Sequence, residues 1–430
     1  MKIIKYFIIY LLFPVLLSAQ NKTGSVIFLH PDGASLSHWS AMRTLYYGPD
    51  AICGWDKLPN IGLYREHCQD NLSPESTSGA TMHSYGVKVK KSSYGLNGTD
   101  TIVSLSGKKM SVMHEAINKG IKTGLINSGS IIEPGTGVFV SSVVSRKNYA
   151  EITKQIMESG VDVILSGGEE WFLPMGIKGR HTSGKREDGL DLISYAKQKG
   201  YYVVYNRDEL MAVPQSTEKL LGIFSEGHTF NDKPEEELKE KNLPLYKDGA
   251  PSLVEMTQTA VNILSKNNNQ YFLVIEEEGS DNFSNSNNSQ GALLSLKRAD
   301  DTIEYILGLI SKNPDLMLIT ASDSNAGGLS LMGIPEEELV PDSKLPERMS
   351  NGSPIDGRDG TASMPFYSAP DKEGKSFPFA ICWSTYYDVS GGVVCRAAGL
   401  NAGLVNGVVD NTDVYRFMYF TLFNKLLEKK

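Results

Sequence analysis

The chain has 430 residues, 40% of them hydrophobic and 21% charged, with a formal net charge of −8. That composition is ordinary for a soluble globular protein with a large core, and the acidic balance argues against sequence-independent nucleic-acid binding, though not against local basic pockets. Length alone would allow two or three domains, but α/β enzymes often run this long as one unit.

Met1–Ala19 reads as a signal peptide. Lys2 and Lys5 give a basic start, an apolar run from Tyr6 to Leu17 follows, and Ser18-Ala19-Gln20 offers a cleavage point. The run is short for a membrane anchor. No cysteine lies near the cut to make a lipoprotein, and no later stretch is long and apolar enough to span a bilayer. The expectation is a periplasmic or secreted protein with no stable membrane insertion, whose mature net charge moves from −8 to −10 as the two lysines leave. Export makes Cys53–Cys68 and Cys382–Cys395 candidate disulfides, with buried free thiols an equal alternative for each pair.

Strands and helices then alternate. Thr23–Leu29 is an apolar strand running into His30-Pro31-Asp32-Gly33. Ser111–Lys119, Tyr149–Ser159, Asp191–Gly200, Ser252–Lys266, Leu293–Lys312 and Thr412–Leu427 read as helices. Thr123–Asn127, Val161–Leu165, Tyr201–Val204, Tyr271–Ile275 and Leu316–Thr320 read as strands. Several strands are continuously apolar, the pattern of a mainly parallel sheet covered on both faces. Function in such sheets gathers beyond the strands' C-terminal ends. Asp32, Glu276 and Asp323 all stand there, although acids after strands also commonly cap helices. Asp281–Gln290, rich in Asn and Ser, reads as a polar loop, and Leu331–Lys375 as a surface excursion within a single domain spanning 20–430.

The stretch Pro74-Glu75-Ser76-Thr77-Ser78-Gly79-Ala80-Thr81 places a serine at a helix start among small residues. Such an end attracts anions, phosphate included. Taken alone it is equally an ordinary N-cap ahead of a packed helix. It also resembles the alkaline phosphatase family, in which Asp-Ser, small residues and Thr precede Gly-Val-Lys ten residues after the serine. Gly86-Val87-Lys88 keeps that spacing from Ser76, with Glu75 for the family's Asp and Thr77 where Gly, Ala or Ser is usual. The resemblance runs from about Ser25 to about Phe423. It includes Asp32, Phe139–Arg146, Glu276 with Asp281 five residues on, Asp323-Ser324-Asn325-Ala326-Gly327-Gly328, Trp383-Ser384-Thr385 before Asp388, and Asp410-Asn411-Thr412.

The resemblance implies a three-layer α/β sandwich and a phosphomonoesterase. Ser76 would be its nucleophile through a phosphoserine, Arg146 its phosphate clamp, and Glu75 would orient Arg146. It further implies metal positions at Asp32, Glu276, Asp281, Asp323, Asp388, Glu133, Asn285 and Ser324. Here the sequence departs from the family: Ser324, Asn285 and Asp388 replace three zinc-binding histidines, Glu133 stands for Asp or His, and Gly135 for Thr or Ser. None of the seven histidines lies beyond His228. The motif positions left are oxygen donors, which suit Mg²⁺, Ca²⁺ or Mn²⁺ better than the Zn²⁺ of the family. His30, two residues before Asp32, is a weak substitute ligand, and His83 reads as a packing residue. The substrates implied are small phosphate monoesters, and a homodimer would fit the resemblance. Two other functions compete: an inactive relative that binds phosphate or a phosphorylated ligand, and a hydrolase of phosphodiesters or sulfate esters, which nothing specific favours.

Overall fold

The computed structural model describes residues 22–335 and 344–429. The leader segment read at 1–19 lies outside them. Ten strands form the central sheet: β1 Ser25–Pro31, β2 Asn60–Arg65, β3 Lys122–Ser130, β4 Val163–Gly167, β5 Tyr202–Val204, β6 Leu220–Ile223, β7 Tyr271–Glu277, β8 Leu316–Thr320, β9 Val394–Gly399 and β10 Gly407–Asp410. Their order across the sheet is β10-β2-β9-β8-β1-β7-β3-β4-β6-β5. Only β9 runs against the rest, antiparallel to both β8 and β2.

Both faces of this sheet are covered, which is why its central strands are continuously apolar. On β1, Val26 and Phe28 enter one hydrophobic core while Ile27 and Leu29 enter the other, the alternation that strand geometry imposes. Six helices carry the rest of the account: α1 Leu36–Tyr46, α2 Ser76–Tyr85, α3 Leu253–Leu264, α4 Gly279–Asn285, α5 Ser289–Ile310 and α6 Asn411–Phe423. Ala80 of α2 and Val414, Tyr415 and Met418 of α6 pack in the first core. Met42 of α1, Met256 of α3 and Leu293 of α5 pack in the second. The result is the three-layer α/β sandwich expected.

The structure refines the sequence reading in three places. The polar stretch at 281–290 is helical, divided between α4 and the start of α5; Ser280, Asp281 and Ser284 are buried by polar contacts in place of apolar ones. The 331–375 segment contributes strands Ile355–Gly357, Gly360–Thr361 and Phe366–Tyr367 to a second, five-stranded sheet with Ser330–Gly333 and Pro378–Cys382. Its Asp356 accepts a 2.7 Å bond from the indole N–H of buried Trp383. All four cysteines are free thiols. Cys53 lies in the second core, whereas Cys68 belongs to a separate small cluster with Met82 and Tyr85. Cys395 lies in the first core, and Cys382 borders a cluster in the small sheet. Proximity in sequence does not bring either pair together across these layers.

Candidate active site

Register brings the site together. In β1, β7 and β3, His30 pairs with Glu276 and Glu276 with Asn127, so three strands end along one line. Asp32 follows β1, Glu278 follows β7, Asp323 follows β8 and Glu133 follows β3. All are buried.

Ser76 is the first residue of α2. Glu75 caps the helix with extended backbone, φ −141° and ψ 170°, and its carboxylate accepts the Ser78 N–H. The same carboxylate accepts the Ser92 N–H at 2.9 Å and lies 4.0 Å from Arg146 Nη1. Arg146 Nη2 donates to Glu133 Oε2 at 2.9 Å, and its side chain is 44% exposed. The guanidinium is thus held between two carboxylates at the mouth of the site. Ser76 is among the groups that hold Asp32 below the usual carboxylate range; burial opposes this, and His30 contributes most to it. Gly79 lets α2 approach, since a Cβ there would stand 2.2 Å from the Cβ of Asp323. At the helix's far side Lys88 pairs with Asp410 at 2.9 Å, tying the Gly-Val-Lys segment to the start of α6.

Glu276 is anchored on several sides. The Gly135 N–H donates to it at 3.0 Å, Thr136 Oγ1 at 3.3 Å, and the Asn127 amide donates as well. Gly135 is explained by this contact: a Cβ there would lie 2.0 Å from Glu276 Oε1. Burial first, then the charge of Asp32, pushes Glu276 up to about 8. Glu278, Asp281 and Asp323 are raised well above their ordinary values by burial, then by Glu133, Asp388 and Asp32 respectively.

Such a concentration of buried carboxylates calls for positive charge. Both oxygens of Asp32, Oδ2 of Asp323, Oε2 of Glu278 and Nε2 of His30 lack hydrogen-bond partners. Each such group left unpaired costs about 1–3 kcal/mol, more when charged. Among the described residues, two groups converge closely enough to hold an ion: His30, Asp32 and Asp323; and Asp32, Glu276 and Glu278. The donor sets therefore fit divalent cations.

Not every expected ligand joins these groups. Asn285 turns its amide nitrogen to Asp281 at 3.0 Å and to Asp388 at 3.0 Å, and its oxygen accepts the Gly327 N–H at 3.1 Å. Ser324 Oγ donates to Asp323 Oδ1 at 3.4 Å. Glu133 contacts Arg146 and stands apart from both. Conversely, the sequence did not single out Glu278; it lies between the paired Glu276 and Asp281, and a run of three glutamates at a strand end was its only signal. His83 is buried against Phe28 and His30 and bonds Tyr64, as a packing residue would.

Comparison with known proteins points the same way. The chain is 23% identical to the alkaline phosphatase of Escherichia coli K12, covering 92% of this chain and 85% of that one. It is 24% identical to the alkaline phosphatase of Escherichia fergusonii, covering 92% and 84%. In fold it resembles the alkaline phosphatases of Thermus thermophilus (TM-score 0.73, 22% identity, 94% and 92% covered) and of the Antarctic bacterium TAB5 (TM-score 0.70, 21% identity, 93% and 98% covered). A sequence model of the family described as alkaline phosphatase matches residues 23–423. With that match spanning both the helix that carries Ser76 and the strand ends that carry the carboxylates, the chain belongs to the alkaline phosphatase family.

Proposed function

We propose that the chain, whose family and fold support a phosphatase-like hydrolase, is a metal-dependent phosphomonoesterase that works through a phosphoserine at Ser76. The observation that supports it most is the convergence of Ser76, the Arg146 fork and the unpartnered carboxylates on one side of the sheet.

In this reading Arg146 donates to two non-bridging oxygens of a phosphate monoester, with Glu75 and Glu133 fixing the guanidinium plane. Ser76 Oγ, at the positive end of α2, attacks phosphorus, and the ester oxygen leaves with the bonding electron pair. The serine proton is lost to solvent, since Asp32, held below the usual carboxylate range, would serve as a cation ligand and not as the acceptor. Water then hydrolyses the phosphoserine, returning the serine and releasing inorganic phosphate. Asp32, Asp323, Glu276 and Glu278 would hold divalent cations, the group Asp32, Glu276 and Glu278 suiting Mg²⁺ or Mn²⁺. Such cations supply the charge that lowers the serine's proton affinity and steadies the leaving oxygen. A TAB5 variant described with Mg bound shows that a relative of this fold accepts that ion.

Export by the 1–19 leader and a homodimer belong to the same proposal. No helix among the described residues is long and apolar enough to cross a membrane. The test is hydrolysis of an aryl phosphate by the mature protein, alone and with Mg²⁺, Mn²⁺, Ca²⁺ or Zn²⁺, alongside its metal content by mass spectrometry. Metal-dependent turnover with labelling of Ser76 by phosphate supports the reading. Absence of turnover with every ion overturns it and leaves a phosphate-binding relative.

A further inference from the structure

The imidazole of His30 is completely buried at the end of β1, yet only half of its polar capacity is used. Nδ1 lies 2.8 Å from the carbonyl oxygen of Ala321. A carbonyl only accepts, so Nδ1 carries the proton, and in the neutral ring Nε2 presents its lone pair. Nε2 has no hydrogen-bond partner and lies 3.5 Å from Oδ1 of Asp32 and 3.8 Å from Oδ1 of Asp323. Phe28 and His83 pack on the ring, with centroids 5.8 and 5.5 Å away, and fix its plane.

A buried lone pair facing carboxylate oxygens is repulsive unless positive charge lies between them. At 3.5 and 3.8 Å neither carboxylate makes a direct hydrogen bond to Nε2. Two ligands at about 2.0–2.1 Å in a tetrahedral set stand about 3.3–3.4 Å apart, close to what is seen. A backbone carbonyl on the opposite ring nitrogen is also the usual support of a metal-bound histidine. His228, beside Glu133, is arranged the opposite way. Its Nδ1 accepts the Ser130 N–H at 3.3 Å, so in the neutral ring Nε2, 3.9 Å from Glu133, carries the proton and cannot ligate.

We propose that His30 Nε2, with Asp32 and Asp323, ligates a divalent cation beside Ser76, so that an imidazole from the first strand stands in for histidines missing from the later motifs. This deepens the reading of a metal-loaded phosphatase and rests on it for the presence of the ion. The consequence is two unlike cation positions sharing Asp32. The mixed nitrogen and oxygen set favours Zn²⁺ or Co²⁺, whereas the all-carboxylate set with Glu276 and Glu278 favours Mg²⁺.

The test uses the full mature protein, stripped with a chelator and titrated with Co²⁺ while visible absorption and bound metal are recorded. Wild type is expected to bind one tight equivalent with X-ray absorption showing imidazole nitrogen. His30→Gln is expected to weaken that equivalent by more than about 100-fold, beyond the usual loss of a supporting contact, while His228→Gln leaves it unchanged. Unaltered Co²⁺ affinity and spectrum in His30→Gln overturn the proposal, as does loss in His228→Gln alone. Should His30→Gln fail to fold, X-ray absorption of Zn²⁺-loaded wild type decides: a first equivalent without imidazole scattering overturns it. Failure of the phosphatase reading is seen separately. A protein that binds Co²⁺ through His30 yet hydrolyses no aryl phosphate keeps this proposal and loses that one. Metal-dependent turnover indifferent to His30 does the reverse.

Discussion

Stripping the divalent cations should make the fold sensitive to pH in a direction opposite to that of an ordinary paired carboxylate. Without an ion, burial and then Asp32 push Glu276 up to about 8 from its ordinary 4.5. In the unfolded chain the group titrates near that ordinary value. Between the two, the folded protein holds a proton that the unfolded chain has lost, so stability falls as pH rises through the window. At about 1.36 kcal/mol per pKa unit, Glu276 alone accounts for about 5 kcal/mol across it. Glu278, Asp281 and Asp323 shift the same way. A bound cation replaces the proton, so its stabilising effect must grow with pH over the same range. A chain this long has an unfolding entropy of about 0.9 kcal/mol per kelvin, so 5 kcal/mol corresponds to about 6 °C. The assay is thermal unfolding followed by circular dichroism, with chelator and with saturating Mg²⁺ and Zn²⁺, at about pH 5 and about pH 8. The loss of Tm on chelation should be larger at the alkaline end by about 6 °C or more. A loss that is equal at both ends, or smaller at the alkaline one, would refute the argument that uncompensated buried carboxylates set the stability of the stripped site.

Ser76→Ala should lower aryl phosphate turnover by more than about 1000-fold while leaving bound metal in place; full activity would remove Ser76 as nucleophile. Arg146→Ala gives up charge-assisted bonds of about 1.5–3 kcal/mol, so kcat/KM should fall about 10–150-fold, with inorganic phosphate inhibiting more weakly; unchanged inhibition would place the phosphate elsewhere. Gly79→Ala inserts a methyl group 2.2 Å from the Asp323 Cβ and should cost about 1–3 kcal/mol in a denaturant titration, so an unchanged midpoint would mean α2 does not approach as described. Thiol titration of the denatured protein should find all four cysteines free, and fewer would restore a disulfide.

What was legible followed from where the chemistry lies along the chain. Strands such as Leu316–Thr320 were readable because burial on both faces leaves an unbroken apolar run. The expectations at Ser76, Arg146 and Asp323 could be framed because the family's motifs are local in sequence. Helix α4 was not, because Phe283 is the one large apolar residue on its buried face; beside it stand Ser280, Asp281 and Ser284, whose partners include the Asp32 carbonyl and the Asn285 amide, and a helix buried mostly by polar contacts lacks the apolar periodicity that marks one. His30 could be read only as a weak substitute ligand at a strand end, two residues before Asp32. Its significance depends on Ala321 and Asp323, about 290 positions away, and only the parallel pairing of β1 with β8 brings them beside it.

The three missing histidines leave two different outcomes in one site. Around Asp281 and Asp388, Asn285 presents an amide nitrogen, a donor that binds carboxylates and not cations. That corner is satisfied by hydrogen bonds within the chain. Around Asp32 and Asp323 the replacement is weaker: Ser324 donates only to Asp323 Oδ1, at 3.4 Å, and both oxygens of Asp32, Oδ2 of Asp323 and Oε2 of Glu278 stay without partners. A site that had wholly lost its ions would gain stability by pairing or removing these groups, as the first corner has done. Their persistence beside Ser76, on the same side as the Arg146 fork, places the demand for positive charge where a phosphoryl group would be attacked.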